Sequence, residues 1–254
     1  MKLDLQVAAN ARKQRHLLQS SKQPSQLSYK FVGDRHVLSG LYLESKRVPD
    51  VVRYVLDLTS STPAVPLSPC QGCANPIKND EWQDVRADEH TSPHKRIVLL
   101  LESPHRYEYT QTFTPIAPAQ GTTGEGIEAC ILPLLNKYER LELPPDRYEL
   151  LICNPVQFQA SLYELHGQSL NENSPAQRLR DITWRTLYYD MNERDGFLQR
   201  LGRYNAAAVI VACTAALKQE VLGDVRCWAK DRPVPVVEAS SHPCTWRRST
   251  VTFA

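Results

Sequence analysis

The sequence predicts an α/β fold built on a parallel sheet. Four apolar runs of strand length follow Arg96, helical periodicity fills the intervals between them, and turn residues bound each run. Strands that alternate with helices require crossover connections, and these favour parallel neighbours.

The stretch before Arg96 is different in texture. Met1 to Gln19 reads as a short amphipathic helix, with Leu3, Val7, Ala11 and Leu18 roughly on one face. Tyr29 to Val32 reads as an extended piece and Asp50 to Asp57 as a helix. Ser60 to Pro76 is dense in Ser, Pro and Thr and reads as a linker or irregular loop. Residues 1–95 therefore form an N-terminal arm or subdomain with a Pro-rich loop, and residues 96–254 form the α/β domain.

Within that domain the expected strands are Ile97 to Leu101, Tyr148 to Cys153, Ala206 to Cys213 and Val234 to Ala239. Each is apolar throughout, as a strand buried on both faces should be. Ile127, Ile131, Leu134, Leu135 and Tyr138 mark one helix. Leu179, Ile182, Leu187, Phe197 and Leu201 mark a longer or broken one. Thr214 is a suitable N-cap for a third, running through Leu222.

Composition sets the outer limits. The chain has 254 residues with 42% hydrophobic and 23% charged, ordinary values for a globular protein and unlike those of a disordered chain. No apolar run approaches the roughly 20 residues needed to cross a bilayer, so no membrane partner is expected. A net charge of +2 neither requires nor excludes nucleic acid. Seven cysteines are an odd number, and Cys153 and Cys213 lie inside apolar runs. This suits reduced thiols, and with no secretory signal at the N-terminus it implies a cytoplasmic address. A monomer is expected.

In open parallel sheets the ligand crevice lies beyond the carboxyl ends of the strands. There the sequence places Glu102-Ser103-Pro104-His105, Asn154-Pro155 and Ser241-His242-Pro243. A carboxylate, an amide and an imidazole thus converge from three strands. Each also has a plainer role: Glu102 as a helix cap, Asn154 as a turn former, His242 as a surface loop residue.

The order of these motifs resembles the uracil-DNA glycosylase superfamily, most nearly its branch whose first motif reads Gly-Glu-Ala-Pro-Gly. Leu101-Glu102-Ser103-Pro104-His105 is similar to that motif, and Gly121-Thr122-Thr123-Gly124 to the glycine-containing loop. Leu150 to Asn154 is similar to the strand ending in a base-reading asparagine. Ala206 to Leu217 and Ser241 to Arg247 are similar to the last strand–helix pair and the closing His-Pro motif. The resemblance spans Arg96 to Arg248. It departs from the pattern at Leu101 and His105, where the motif has glycines, and at Cys153, which precedes the asparagine. The cysteines that would ligate an iron–sulfur cluster do not follow, so no cluster is expected.

The resemblance implies a three-layer α/β/α fold around a central four-stranded parallel sheet, with the N-terminal stretch as an extension. It further implies a monofunctional DNA N-glycosylase, a hydrolase that leaves an abasic site and requires no cofactor for catalysis. Glu102 would position water and favour the sugar cation, and His242 would donate to the departing base. Asn154 would read the flipped base edge. Ser103, His105, Tyr109, Phe158 and Gly121 would contact substrate, with Tyr107 and Phe113 as further stacking candidates. Trp246 would be the apolar wedge, and Arg247 and Arg248 phosphate contacts; the same residues fit a buried tryptophan beside two solvated arginines. Arg12, Lys13, Arg15, Lys46 and Arg47 are either a further DNA surface or a solvated one. The substrate would be a damaged or modified pyrimidine in single- or double-stranded DNA. A glycosylated hydroxymethylcytosine of phage DNA, removed in antiviral defence, is one such base. Two other classes fit the fold: a non-catalytic module that binds modified bases, and a nucleotide- or nucleoside-processing enzyme.

One motif stands apart. Cys70-Gln71-Gly72-Cys73 followed by His90 and His94 is close to a Cys2His2 spacing and is a candidate structural zinc site. The same residues fit a loop with two reduced thiols.

Overall fold

The computed structural model describes residues 2–8, 28–32, 35–41, 47–59, 68–69, 95–110, 114–137, 141, 143–160 and 175–254. Near the N-terminus β1 (Lys2–Ala8), β2 (Ser28–Val32) and β3 (Arg35–Leu41) form a three-stranded antiparallel sheet in the order β1-β3-β2. The helix expected at the start of the chain is thus corrected to a strand over Lys2–Ala8. Leu3, Leu5 and Val7 alternate with Asp4 and Gln6, and that period of two outweighs the sparser helical spacing.

The main sheet has six strands. They are β4 (Val51–Asp57), β5 (Ser68–Pro69), β6 (Lys95–Leu100), β7 (Arg147–Cys153), β8 (Ala206–Val211) and β9 (Val236–Glu238). The spatial order is β5-β4-β7-β6-β8-β9. The β7-β6-β8-β9 stretch is parallel, whereas β4 runs antiparallel to both β7 and β5. Two strands of this sheet therefore come from before residue 95. The helix expected over Asp50 to Asp57 is corrected to β4. Val51, Val52, Tyr54 and Val55 are β-branched or aromatic and fit a pleated, half-buried surface better than a helix.

Helices flank both faces of the mostly parallel sheet, an arrangement compatible with a three-layer α/β/α fold. Alternate residues of β6 separate the layers. Ile97 and Leu99 pack with Ile127, Ile131, Leu134 and Leu135 of α1 (Thr122–Lys137). Val98 and Leu100 face the other way, toward α2 (Pro175–Arg185), α3 (Glu193–Arg203) and α4 (Ala215–Ala229). A π-helical turn over Thr186–Asp190 separates α2 from α3, so the helical pattern there is broken. Trp184 and Tyr188 stack at 4.4 Å across that break and fill the layer. Among the described residues no helix is long and apolar enough to cross a membrane.

The helices that follow β6 and β8 lie on opposite faces. A parallel sheet opens a crevice between the carboxyl ends of two such strands. This geometry positions the site.

Candidate active site

A cavity of about 280 Å³ occupies that crevice. Its wall takes Leu101 to His105 from the exit of β6, Thr214 from β8, and His242 and Cys244 from beyond β9. Arg180 of α2 and Gln120, Thr122 and Thr123 around the start of α1 complete it, together with Tyr107 and Glu108.

Glu102 is held from several sides. Arg180 Nη1 donates to Oε1 at 3.1 Å, and the Thr214 N–H donates to Oε2 at 3.1 Å. The Thr214 hydroxyl donates to the same Oε2. Thr214 does occupy the N-cap position of α4, as its sequence position suggests, yet its hydroxyl serves Glu102 instead of the helix. The Glu102 carbonyl accepts from Trp184 Nε1 at 2.9 Å and from the Val156 N–H at 3.3 Å. Backbone and side chain are thus both fixed, and the carboxyl group pairs with a buried guanidinium.

His242 lies half-buried in the same wall. Its Nδ1 accepts from the Cys244 N–H at 3.3 Å, which leaves the proton of the neutral ring on Nε2. Burial pushes its pKa down to about 4, the Glu102 charge opposing and Arg180, His105 and Lys218 assisting. At neutral pH it is therefore an uncharged N–H donor. The turn that carries it is docked on α1 by a close approach. A Cβ at Gly126 would sit 2.0 Å from the Pro243 carbonyl oxygen, so only glycine allows this packing.

Ser103 and His105 also line the cavity, and His105 Nδ1 accepts from the Tyr107 N–H at 3.3 Å. Tyr107 stands at the mouth, 65% exposed, with its ring 5.1 Å from that of His105. Gly121 precedes α1 with φ of 64°, a conformation that favours glycine, and is exposed beside the wall. Residues 115–119 fold inward. Ile116 N–H donates to the Glu108 carbonyl at 2.8 Å, and Ile116, Ala117 and Ala119 are buried.

Several expected residues lie elsewhere. Asn154 is not part of the wall. It ends β7, on the far side of β6 from the crevice, and is 1% exposed. Its backbone is clamped by Asp50 Oδ1, which accepts its N–H at 3.1 Å, and by Arg200, which donates to its carbonyl at 3.0 Å. Both atoms of its side-chain amide are buried with no hydrogen-bond partner. Tyr109 is buried and bridges Pro115. Phe158 is a fully buried core residue, with the Arg47 guanidinium 4.5 Å from its ring centre. Arg47 also pairs with Glu193 at 2.9 Å, so this cation is engaged within the protein.

The surface wedge expected at Trp246 is corrected: the side chain is 3% exposed, packs edge-on against Phe253 and donates from Nε1 to the Ser241 carbonyl at 2.9 Å. Burial of the large indole with its N–H satisfied outweighs any exposed placement. Arg247 is exposed and pairs with Glu125 at 2.9 Å, and Arg248 is exposed beside it. Cys70, Cys73, His90 and His94, with Phe113, Arg12, Lys13, Arg15 and Lys46, lie outside the described residues.

Arg180, Glu108 and Gln120 belong to the cavity without having been read from the sequence. Arg180 is 78 residues from Glu102 on a polar helix, and nothing local marks it. A glutamate between two tyrosines offers no motif either. Comparison with protein-family models, curated proteins and solved structures finds no match for this chain.

Proposed function

We propose that this protein is a monofunctional DNA glycosylase that hydrolyses the N-glycosidic bond of a flipped pyrimidine. The observation that carries the proposal is that Glu102 and His242 share one cavity at the carboxyl ends of parallel strands. Breaking this bond builds positive charge on the sugar and negative charge on the base. A fixed carboxylate and a neutral imidazole N–H answer those two charges without reorganisation. His242, held uncharged, is suited to donate to a base carbonyl as its electron density rises.

The cavity lies just below the roughly 300–1,000 Å³ common for small-molecule sites, a size suited to a single base. Hydroxymethylcytosine and its glycosylated form, as in phage DNA met in antiviral defence, are candidate substrates. A sugar on the base would lie at the mouth, beside His105 and Tyr107. The exposed Arg247 and Arg248 are suited to phosphate.

A second reading rests on one observation. Arg180 and Thr214 already engage both oxygens of Glu102, as suits a structural charge in a module that binds modified bases without cleaving them. The experiment incubates the protein with DNAs carrying uracil, a thymine mismatch, hydroxymethylcytosine or glycosylated hydroxymethylcytosine, followed by alkali. Abasic-site cleavage by wild type that His242→Ala abolishes supports catalysis. Binding without cleavage, unchanged in Glu102→Gln, supports the module.

A further inference from the structure

Glu108 stands in the cavity wall with half of its carboxyl unused. The chain leaves β6, makes a 3-10 turn over Arg106–Glu108 and returns, so that the Ala119 N–H donates to Glu108 Oε1 at 2.8 Å. Ala119 has φ of 60°, and its carbonyl leaves no room for a Cβ on Gly124, which would lie 2.2 Å away. The grip on Oε1 is therefore rigid. Oε2 is buried with no partner, in a residue 3% exposed that lines the cavity. Gln120, next to Ala119, lines the same wall, and its Nε2 is also buried without a partner.

An ionised carboxylate with an oxygen left unpaired in such a place is strongly disfavoured. Burial pushes Glu108 up to about 8, against the smaller downward pull of the Ala119 N–H, His105 and Arg53. Across the cavity lie the Glu102 carboxylate, the Arg180 guanidinium and the uncharged His242. Because Oε1 accepts, the proton of the neutral acid resides on Oε2, the unpartnered oxygen of a residue in the cavity wall. A carboxylic acid kept neutral in order to donate is an established device of protein sites.

We propose that Glu108 Oε2–H and Gln120 Nε2, two unpartnered groups of one cavity wall, act together as a specificity-determining donor pair for two adjacent acceptors on the ligand. Within the pyrimidine reading, on which this inference rests for the identity of its ligand, the edge selected is the cytosine type. Cytosine offers O2 and N3 as neighbouring acceptors, whereas uracil and thymine interrupt theirs with an N3–H donor. The residue acts on recognition, and no bond is made or broken at it.

The test measures binding by fluorescence anisotropy from mildly acidic conditions to about pH 10. The probes are single-stranded oligonucleotides identical except for one hydroxymethylcytosine, one uracil or one abasic analogue. Wild type is expected to prefer hydroxymethylcytosine and to lose about tenfold in affinity for it above pH 8, with the abasic probe unaffected. Glu108→Gln keeps an N–H donor there and is expected to lose that pH dependence, while Glu108→Ala loses the preference at every pH. A wild-type minus Glu108→Gln infrared difference spectrum is expected to show a carboxylic-acid carbonyl band at neutral pH. Absence of that band, an unchanged titration in Glu108→Gln, or preference for uracil overturns the inference. Failure to cleave any DNA, with this binding pattern intact, counts against the proposed chemistry alone.

Discussion

Arg180 Nη1 lies 3.1 Å from Glu102 Oε1, and both side chains are about nine-tenths shielded from water. Asp181 takes the other end of the guanidinium at 2.6 Å, so Arg180 bridges a surface-side acid to the cavity carboxylate. This pair fixes the charge at the centre of the site, and removing one member leaves the other buried.

Arg180→Met should therefore destabilise the fold by roughly 3–5 kcal/mol in urea unfolding. Adding Glu102→Gln should recover part of that loss, because the orphaned carboxylate is gone. Independent, additive effects of the two substitutions would show that the pair is not coupled.

His242→Ala should lower the cleavage rate on a competent DNA by about 10²–10³ with little change in stability at neutral pH. The pH dependence has a defined sign. Between about 6.5 and about 4 the unfolded chain gains a proton on this imidazole that the native state does not, so stability falls as pH falls through that window. Activity that depends on the neutral ring should persist well below pH 6.5, with its acid limb near 4. A limb at the ordinary histidine value would contradict the burial of this ring.

Glu108 has the opposite sign. Its native carboxyl keeps a proton between 4.5 and about 8 that the unfolded chain releases. Stability associated with it is full below 4.5 and falls as pH rises toward 8, by up to about 1.4 kcal/mol per pH unit. Glu108→Gln should flatten that slope in denaturation curves recorded across the window.

Two glycine substitutions separate packing from propensity. Gly126→Ala drives a Cβ onto the Pro243 carbonyl and should cost about 1–3 kcal/mol while displacing His242. Gly223→Ala, on the exposed side of α4 with nothing within 4 Å of a Cβ, should stabilise by about 0.5–1 kcal/mol. Thermal unfolding and a cleavage assay on both variants decide the point.

Trp246→Ala should behave as a core truncation, costing about 3–5 kcal/mol. Full stability combined with lost activity would restore it to the DNA surface.

Part of the site is legible in the sequence. Glu102 and His242 could be placed because each follows an apolar strand, and parallel strands deliver their carboxyl ends to one side of a sheet. Arg180 could not, since its pairing with Glu102 joins distant segments through tertiary contact. A lone tryptophan beside two arginines looks the same in sequence whether its ring turns outward or inward, and only packing places Trp246 in the core. The helix expected over Asp50 to Asp57 gives way to β4, where the valines and tyrosine favour a pleated surface.

Which segments become the parallel strands follows from local sequence, because hydrophobic run length and side-chain branching act over a few residues. The polar residues that terminate them follow from it too. The order β7-β6-β8-β9 emerges from packing between distant segments, and that order opens the crevice between β6 and β8. Asn154 consequently lies beyond β6, while Thr214, Arg180 and Glu108 enter the wall. Strand order is a competition among long-range burials, and no short window of residues contains it.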